Sequence, residues 1–221
     1  MPRMTFNAVD STIMFLSEEI VEGRYLPGER LVESDLVERY EVSRSTVRAA
    51  LQTMSARGIV TVTPTHGARV ADLTLEDATA LYELRNLLEP LLVARFTERA
   101  STAQIHALDR AMGRFVETAM TSENLRRIHR ARDEFYEVLY AGVASRTLEQ
   151  AVRNEYLRLC AYRGAHLSDE DELRRVRHSA RFTRGMVPAM LRREPGAAGR
   201  YSARTLGEDG ASTLRLLGAA S

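Results

Sequence analysis

Apolar residues recur at helical spacing in the first part of the chain. The spacing predicts one amphipathic helix over about residues 7–23 and a shorter one over residues 34–40. The apolar positions of the first helix are Ile13, Leu16, Ile20 and Val21, and those of the second are Leu36 and Val37. Between the two helices, the Pro-Gly pair in YLPGERL indicates a turn.

A third helix is predicted over residues 44–57. Ser43 stands where a serine side chain caps a helix start, and Gly58 stands where glycine commonly follows a helix end. Three apolar residues, Val47, Leu51 and Met54, share one side of this helix and are expected to be buried. The exposed start, in contrast, consists of hydroxyl and guanidinium side chains.

The segment after the third helix alternates branched and other residues on both sides of a THG turn. This pattern in IVTVTPTHGARVADL predicts a small β-hairpin. Two helices, a short turn, a helix and a hairpin form the order of a winged helix-turn-helix. The same order would also suit a small core domain with a two-stranded flap and no DNA role.

From residue 74 onward the pattern is helical throughout. Helix starts are predicted at Thr74, at Ser101 or Thr102, and at Ser122, and further helices over residues 147–162, 168–193 and from 195 onward. Pro195 suits a first helical turn, whereas Pro188 should interrupt its helix. We therefore predict a mainly α chain with a winged helix-turn-helix over 1–72, a linker over 73–75, and an all-α antiparallel helical bundle over 76–221.

The chain has 221 residues and a net charge of only +1, which is typical of a globular protein. No apolar run reaches the roughly 20 residues of a membrane span, and the N-terminus has no apolar secretory core, so a cytoplasmic protein without a membrane partner is expected. Cys160 is the single cysteine, which excludes an internal disulfide and a multi-cysteine zinc site.

The distribution of charge along the chain is more informative than the total. Residues 10–41 contain nine acidic residues against three arginines, whereas residues 42–71 contain no acidic residue. The basic residues of this acid-free stretch are Arg44, Arg48, Arg57 and Arg69, with His66. A local basic surface of this kind favours contact with phosphates.

The stretch GRYLPGERLVESDLVERYEVSRSTVRAALQTMSARGIVTVTPTHGARV resembles the DNA-binding domain of GntR-family transcription regulators. The marks are PG-E-R-L, then V-S-R-x-x-V-R-x-A-L, then G-I-V and a glycine before R-V. The helices that begin with LYELRNLLEPLLVARF resemble the FCD effector domain of the FadR subfamily. The resemblance covers nearly the whole chain.

The GntR resemblance implies that the third helix enters the major groove and that the wing tip borders the minor groove. Arginines of the third helix can bind guanine or grip phosphate, and small hydroxyl residues reach phosphates or base edges. The implied DNA-binding residues are Ser34, Ser43, Arg44, Ser45, Thr46, Arg48, His66 and Gly67. At Ser34, some relatives carry an arginine that also reaches DNA.

The FCD resemblance implies a small-molecule site inside the bundle. Many FCD domains hold a metal through an aspartate, a histidine four residues later and two further histidines. The residues placed at these four positions are Asp133, Glu137, Thr183 and Thr205. Because zinc, nickel and cobalt prefer imidazole ligands, we expect no metal and no cofactor here. The four residues are instead candidate effector contacts together with Arg85, which can pair with Glu89 or meet a ligand.

One alternative metal site stays open from the sequence. His129, Asp133 and Glu137 are spaced by four residues and share a helix face, and His178 lies elsewhere in the bundle. Asp133 and Glu137, with His129 or His178, could form a non-standard site if they face the interior. Solvated side chains in the charged run RRIHRARDE are the simpler interpretation.

Together these features predict a ligand-responsive transcription regulator, acting as a repressor. The resemblance implies a homodimer on pseudo-palindromic, double-stranded operator DNA, with an organic acid or acyl compound as effector. A DNA-binding dimer whose bundle only dimerises is the alternative. An enzyme is not expected, because the chain contains no glycine-rich phosphate loop, no G-x-S-x-G and no HExxH.

Overall fold

The computed structural model describes residues 7–65 and 67–220, and its contacts divide the chain into two units. One unit extends to Thr74 and includes Tyr156–Ala165; the other consists of Leu75–Glu155 and the residues from His166 onward. The first unit contains α1 (Ala8–Val21), β1 (Arg30–Leu31), α2 (Glu33–Tyr40), α3 (Arg44–Ala56), β2 (Val60–Thr63) and β3 (Gly67–Val70). The helical elements that follow are α4 (Leu75–Arg99), α5 (Thr102–Thr121), α6 (Leu125–Val143), α7 (Arg146–His166), α8 (Asp169–Thr183), a 3-10 turn (Arg184–Met186), α9 (Val187–Leu191) and α10 (Pro195–Ala220).

Apolar side chains of α1, α3 and the sheet form the core of the first unit. Leu16 of α1 and Val47 and Met54 of α3 are fully buried, which confirms the predicted inner face of α3. The other buried members of this core are Ile13, Ile20, Leu31, Leu36, Ala50, Leu51, Ile59, Val60, Ala68 and Val70. The core therefore fixes α3 against α1 and leaves the opposite side of α3 exposed.

The predicted hairpin is part of a three-stranded antiparallel sheet with the order β1-β3-β2. The strands of the hairpin pair from Val60 opposite Val70 to Thr63 opposite Gly67. On the other edge of β3, Arg30 lies opposite Arg69. The sequence did not predict β1, because a strand of two residues is too short to show alternation.

Local contacts define both ends of α3, as predicted. The Ser43 side chain accepts a hydrogen bond from the Thr46 amide at 3.1 Å, which satisfies one free N–H of the first turn. At the other end Gly58 adopts a φ of +69°, a conformation that glycine allows without steric cost. The first turn of α3 contains no acidic residue.

In the second unit, α10 packs along α4, and α5 packs against α6 and α8. Two glycines allow α10 to approach α4 closely. A Cβ on Gly199 would lie 3.1 Å from the carbonyl oxygen of Pro90, and one on Gly210 would lie 3.1 Å from Cδ1 of Tyr82. The predicted interruption at Pro188 is confirmed, since α8 ends at Thr183 and a 3-10 turn precedes α9. No helix in the described part of the chain is long and apolar enough to cross a membrane.

Glu19 is a buried carboxylate that joins α1 to α2. It accepts hydrogen bonds from Arg24 Nη1 at 3.0 Å, Arg39 Nη1 at 3.1 Å and the Tyr40 hydroxyl at 2.8 Å. Only 8% of Glu19 is exposed, although the two arginines remain in contact with solvent. We therefore expect the hydrogen bond between Tyr40 and Glu19 to contribute most of the stability that this cluster provides.

We predict that Glu19→Ala lowers the free energy of unfolding of the first unit by about 1–2 kcal/mol, because the Tyr40 hydroxyl loses its acceptor. Urea unfolding followed by circular dichroism measures the loss. Glu18→Ala is the matched control, since Glu18 is the exposed neighbour on the same helix. Equal stabilities of the two variants would contradict this role of Glu19.

Candidate functional site

The exposed side of α3 is the first candidate site. Ser43, Arg44, Ser45 and Arg48 are all exposed there, whereas Thr46 is half-buried. The Ser43 hydroxyl lies 2.8 Å from the hydroxyl oxygens of both Ser45 and Thr46, so the three hydroxyls form one cluster at the helix start. This cluster and the two arginines form the surface that we call the α3 face.

Arg48 differs from Arg44 in its surroundings. Its Nε atom donates to the Glu33 carboxylate of α2 at 2.9 Å, and the Arg48 side chain is 67% exposed. The carboxylate of Glu33, on the neighbouring helix α2, therefore lies beside the acid-free stretch. Ser34, next to Glu33, is exposed and donates to Asp35 at 3.1 Å. The surface around Arg48 is less positive than the sequence of α3 alone suggests.

The wing contributes Gly67 and a pair of arginines. Gly67 is exposed and has a φ of +73°, so glycine is the residue that fits this turn. Arg69 donates to the Gly28 carbonyl at 2.8 Å, and Arg30 lies opposite it in the sheet. His66 was also predicted to contact DNA and lies outside the described residues.

The sequence interpretation missed two exposed residues of this surface. Gln52 continues the α3 face two turns beyond Ser45, at helical spacing from Arg48. Arg30 is exposed on β1, beside the wing. The exposed stripe of α3 at positions 45, 48 and 52 was present in the sequence and could have identified Gln52. Placing Arg30 on this surface required the pairing of β1 with β3, which the sequence did not predict.

The second candidate site is a cavity inside the second unit, which we call the arginine cavity. Its volume is about 40 Å³, measured as the space open to the centre of a water molecule. The residues that line it come from α4, α5, α6, α8, the 3-10 turn and α10. They are Arg85, Glu89, Phe115, Arg132, Phe135, Tyr136, Arg175, Ser179, Thr183, Met186, Ser202, Thr205, Leu206 and Asp209.

The structure brings three of the five predicted effector residues to this cavity and leaves two outside it. Arg85, Thr183 and Thr205 line the cavity. Asp133 and Glu137 are exposed, and Glu137 accepts hydrogen bonds from Arg153 at 2.6 and 2.8 Å. The placement of these two carboxylates at the interior ligand positions was therefore wrong.

Arg132 and Tyr136 occupy the interior positions instead, one residue earlier on α6. Both are buried, together with Ile128, Phe135 and Leu139. These apolar neighbours determine which side of the helix faces the core, and positions 132 and 136 lie on that side. The spacing of the apolar residues was the signal that could have found Arg132.

Arg85 belongs to a buried triad with Glu89 and Tyr136. Arg85 Nε donates to Glu89 Oε2 at 2.9 Å, and Arg85 Nη2 donates to the Tyr136 hydroxyl at 2.7 Å. The Tyr136 hydroxyl in turn donates to Glu89 at 3.0 Å. Arg85 thus pairs with Glu89, as one of the two alternatives from the sequence predicted, and it also lines the cavity. Its contact with a ligand stays a prediction.

Arg175 forms the second buried charge cluster. It donates to both oxygens of Glu172 at 2.7 Å and to Asp209 Oδ2 at 3.3 Å. The His129 Nε2 atom lies 3.3 Å from Glu172 Oε1, so His129 reaches this cluster from α6. The pairing holds α8 to α10 through a charge-assisted contact.

Electrostatics keep both of these arginines charged. Burial by itself lowers the pKa of Arg85, but the neighbouring Tyr136 and Glu89 outweigh burial and raise its pKa well above the usual value. Burial likewise opposes the charge of Arg175, and Glu172 and Asp209 raise its pKa above the usual value. Burial raises the pKa of the Tyr136 hydroxyl, so this group stays a neutral donor.

The lining of the cavity does not fit the metal that the FCD resemblance implies. It contains three guanidinium groups and no histidine, and its two carboxylates, Glu89 and Asp209, already bind arginine. A dication would meet three positive charges and few free ligand atoms. Within residues 7–65 and 67–220, no group of three His, Cys, Asp or Glu residues is placed to hold an ion.

The alternative metal set proposed from the sequence is also not assembled around the cavity. Asp133 and Glu137 are exposed, whereas His129 is half-buried beside Glu172. The His178 ring packs against Phe182 at a centroid distance of 5.3 Å. That the protein works without a metal cofactor stays a prediction.

Comparison with known proteins matches the two parts of the chain to two families. Residues 12–70 match the family described as bacterial regulatory proteins, gntR family, and residues 80–208 match the FCD domain. The galactonate operon transcriptional repressor of Escherichia coli (strain K12) is 24% identical over 92% of this chain and 95% of its own length. The HTH-type transcriptional regulator YdhC of Bacillus subtilis (strain 168) is 24% identical over 70% of this chain and 71% of its own.

Solved structures show the same fold. E. coli McbR/YncC superimposes with a TM-score of 0.79 at 15% identity, over 96% of this chain and 98% of its own. A transcriptional regulator GntR from Rhodococcus sp. RHA1 gives a TM-score of 0.68 at 23% identity, with the same coverage of both chains. The chain therefore belongs to the gntR family of bacterial regulatory proteins and carries the FCD domain.

Proposed function

We propose that this transcription regulator is a homodimeric repressor that binds a pseudo-palindromic operator and responds to a small organic acid in the arginine cavity. The observation that carries the proposal is the pairing of a polar, exposed α3 start with a charged cavity in a separate helical unit. The first supplies contacts to DNA and the second supplies a place for an effector. No catalytic role is proposed, since the relatives are regulators.

The α3 face has the chemistry of a major-groove surface. Arg44 is exposed at the first helical position, and the residues next to it in sequence, Ser43, Ser45 and Thr46, form a cluster of hydroxyl groups. A guanidinium can bind the O6 and N7 atoms of guanine together, while hydroxyls bind phosphates. We assign base reading to Arg44 and phosphate contact to Arg48, because Arg48 is held at the α2 side by Glu33.

The proposal of a homodimer is supported by an exposed apolar row on α4. Leu84, Leu87 and Leu91 are exposed by 44%, 72% and 43%, although each is a large apolar side chain. Exposed apolar stripes on a helix mark protein contacts. Glu83 and Arg95 lie four residues outside Leu87 and Leu91 respectively and have no ion-pair partner within the described part of the chain.

Four positions at a spacing of four residues, 83, 87, 91 and 95, form a second row along α4 that shares Leu87 and Leu91 with the apolar one. This second row is complementary to itself when two α4 helices run antiparallel. When two α4 helices cross about a two-fold axis at residue 89, Leu87 meets Leu91 of the partner subunit. In the same register Glu83 meets Arg95 of the partner subunit. An isologous contact repeats each such pair twice, so one row supplies an apolar centre with an ion pair at either end.

The name of one relative supports the proposal that this protein is a repressor and that its effector is an organic acid. The galactonate operon protein is named a repressor, and galactonate is an organic acid. In this chain the cavity brings three buried guanidiniums to one place, which suits an acid and not a neutral or cationic compound. We place the regulator in the cytoplasm, where its operator DNA would lie.

We predict that Arg44→Ala and Arg48→Ala have different effects on DNA binding. Loss of a guanine contact at Arg44 should lower affinity for the preferred sequence about 10-fold or more and relax the preference at one base pair. Loss of a phosphate contact at Arg48 should weaken binding to all sequences and reduce the salt slope by about 1. Glu33→Gln should strengthen binding, because it removes a negative charge beside Arg48.

The measurement is fluorescence anisotropy with duplexes selected from a random pool, repeated at several salt concentrations. Glu38→Gln serves as the control for Glu33→Gln, since Glu38 lies on the same helix about 140° away from Glu33. If both arginine variants bind selected and random duplexes like the parent protein, α3 is not the DNA-reading helix.

A charge exchange tests the antiparallel dimer. Glu83→Arg and Arg95→Glu should each raise the dimer dissociation constant about 10-fold or more, because each places like charges opposite one another twice. The double variant should recover most of the parent affinity. Sedimentation velocity at graded protein concentrations measures the dissociation constants.

Leu87→Arg should also weaken the dimer without lowering the stability of the monomer, since Leu87 is 72% exposed. Met120→Arg on α5 is the matched control, because Met120 is an exposed apolar residue away from the row. A double variant as weak as either single one would contradict the pairing of Glu83 with Arg95.

A further inference from the structure

Arg30 of β1 is an exposed cation that the fold places beside another cation. Its side chain forms no hydrogen bond and no ion pair with any residue that the structure describes. Arg69 lies directly opposite it on β3. Like charges on directly opposite residues of neighbouring strands are destabilising. An unpaired guanidinium in such surroundings is well suited to bind an anion.

The two arginines extend in opposite directions from this pair. Arg69 Nη1 donates to the Gly28 carbonyl at 2.8 Å, and Gly28 lies two residues before Arg30 in the chain. Arg30 extends toward the wing tip instead, because its Nε atom lies 4.0 Å from the position that a Cβ on Gly67 would occupy. Gly67 lies two residues before Arg69, and β1 and β3 are antiparallel. The Arg30 side chain therefore reaches toward one end of the sheet and the Arg69 side chain toward the other.

The end of the sheet that Arg30 approaches leads directly into α2. Strand β1 ends at Leu31, and α2 begins at Glu33. The Glu33 carboxylate accepts a hydrogen bond from Arg48 Nε at 2.9 Å, and Arg48 belongs to the α3 face. Arg30 is thus placed between the wing tip, which its side chain approaches, and Glu33, which contacts the α3 face.

A cation in this position would meet the phosphate backbone of DNA. A helix in the major groove and a wing at the adjacent minor groove are separated by the DNA strand that runs between the two grooves. The phosphates of that strand therefore pass between the α3 face and the wing tip. A planar guanidinium can bind a phosphate through two parallel hydrogen bonds.

We infer that Arg30 binds a backbone phosphate of the operator between α3 and the wing, and that Arg69, its neighbour on the same face of the sheet, does not. The inference rests on the proposed function, in that α3 and the wing are taken to contact neighbouring grooves. It goes beyond that function by adding a DNA contact from β1, outside the helix-turn-helix and the hairpin. Such a contact positions the wing on the duplex and reads no base.

Substitutions at positions 30 and 69 form a matched pair, because both remove one exposed arginine from neighbouring strands. Anisotropy of the full-length protein with a selected duplex gives the salt slope, which is the change in the logarithm of affinity with the logarithm of salt concentration. Arg30→Gln should reduce this slope by about 1 and lower affinity about 5-fold or more at low salt. The loss should be equal on random duplexes, since a phosphate contact is independent of sequence. Arg69→Gln should change the slope by less than about half as much.

A charge reversal separates the DNA contact from a structural role of Arg30. Arg30→Glu places opposite charges opposite each other on β1 and β3, so the thermal midpoint should stay equal or rise. The same variant should weaken DNA binding more than Arg30→Gln, because a carboxylate repels phosphate. Arg30→Lys keeps the positive charge and should recover most of the salt slope. A loss of DNA affinity that follows a loss of thermal stability would overturn the inference.

Duplexes that carry a neutral methylphosphonate at one chosen phosphate locate the contact. Neutralising the phosphate that Arg30 binds should weaken the parent protein and the Arg69→Gln variant, and should weaken the Arg30→Gln variant no further. Losses that add independently at every phosphate, or a coupling to position 69 and not to position 30, would overturn the inference.

The same measurements distinguish this failure from failure of the proposed function. A parent protein that prefers no duplex over random DNA overturns the proposed function, and the inference with it. Preferential binding of a selected duplex that depends on Arg44, together with a salt slope that Arg30→Gln leaves unchanged, overturns the inference alone.

Discussion

Buried charge is the constraint that shapes the helical unit. Three guanidiniums and three carboxylates lie in its interior, none more than 7% exposed: Arg85, Arg132, Arg175, Glu89, Glu172 and Asp209. An unpaired buried charge would be strongly destabilising, so the helices must meet in the register that brings opposite charges together. Residues of α4, α6, α8 and α10 all take part. The arginine cavity is the space that remains between these paired groups.

The same constraint explains why the cavity offers few free ligand atoms to a metal ion. A metal site needs carboxylates or imidazoles that are free to bind an ion, and here Glu89 and Asp209 are bound to arginine. Positions 132 and 136 carry a guanidinium and a phenol, neither of which is a ligand that zinc, nickel or cobalt prefers. The side chains that line the cavity thus bring positive charge to it themselves.

In the first unit, the apolar core determines what α3 presents to the exterior. Leu16, Val47 and Met54 are fully buried, and this fixes the rotation of α3 about its axis. The cap at Ser43 fixes the start of the helix and leaves Arg44, Ser45 and Arg48 exposed. The polar residues can therefore be used for recognition, because they contribute little to the packing of the core.

Most helices and the interruption at Pro188 could be predicted from the sequence, since caps, prolines and apolar spacing act locally. Strand β1 could not, because its two residues are defined only by their pairing with β3. Asp133 and Glu137 were predicted from the family resemblance, whereas the burial of Ile128, Phe135 and Leu139 decides which side of α6 faces inward. The pairing of Glu33 with Arg48, and that of Asp209 with Arg175, depends on tertiary contacts that no local pattern records.

We would first record a native mass spectrum of the protein before and after addition of lactate, a small organic acid. We expect a dimer of two 24.8 kDa chains without a metal ion, which gains up to one acid per chain. The acid should remain bound after treatment with EDTA. A dimer that retains one transition-metal ion per chain, and that loses the acid together with the metal, would show that the cavity binds its ligand through a metal.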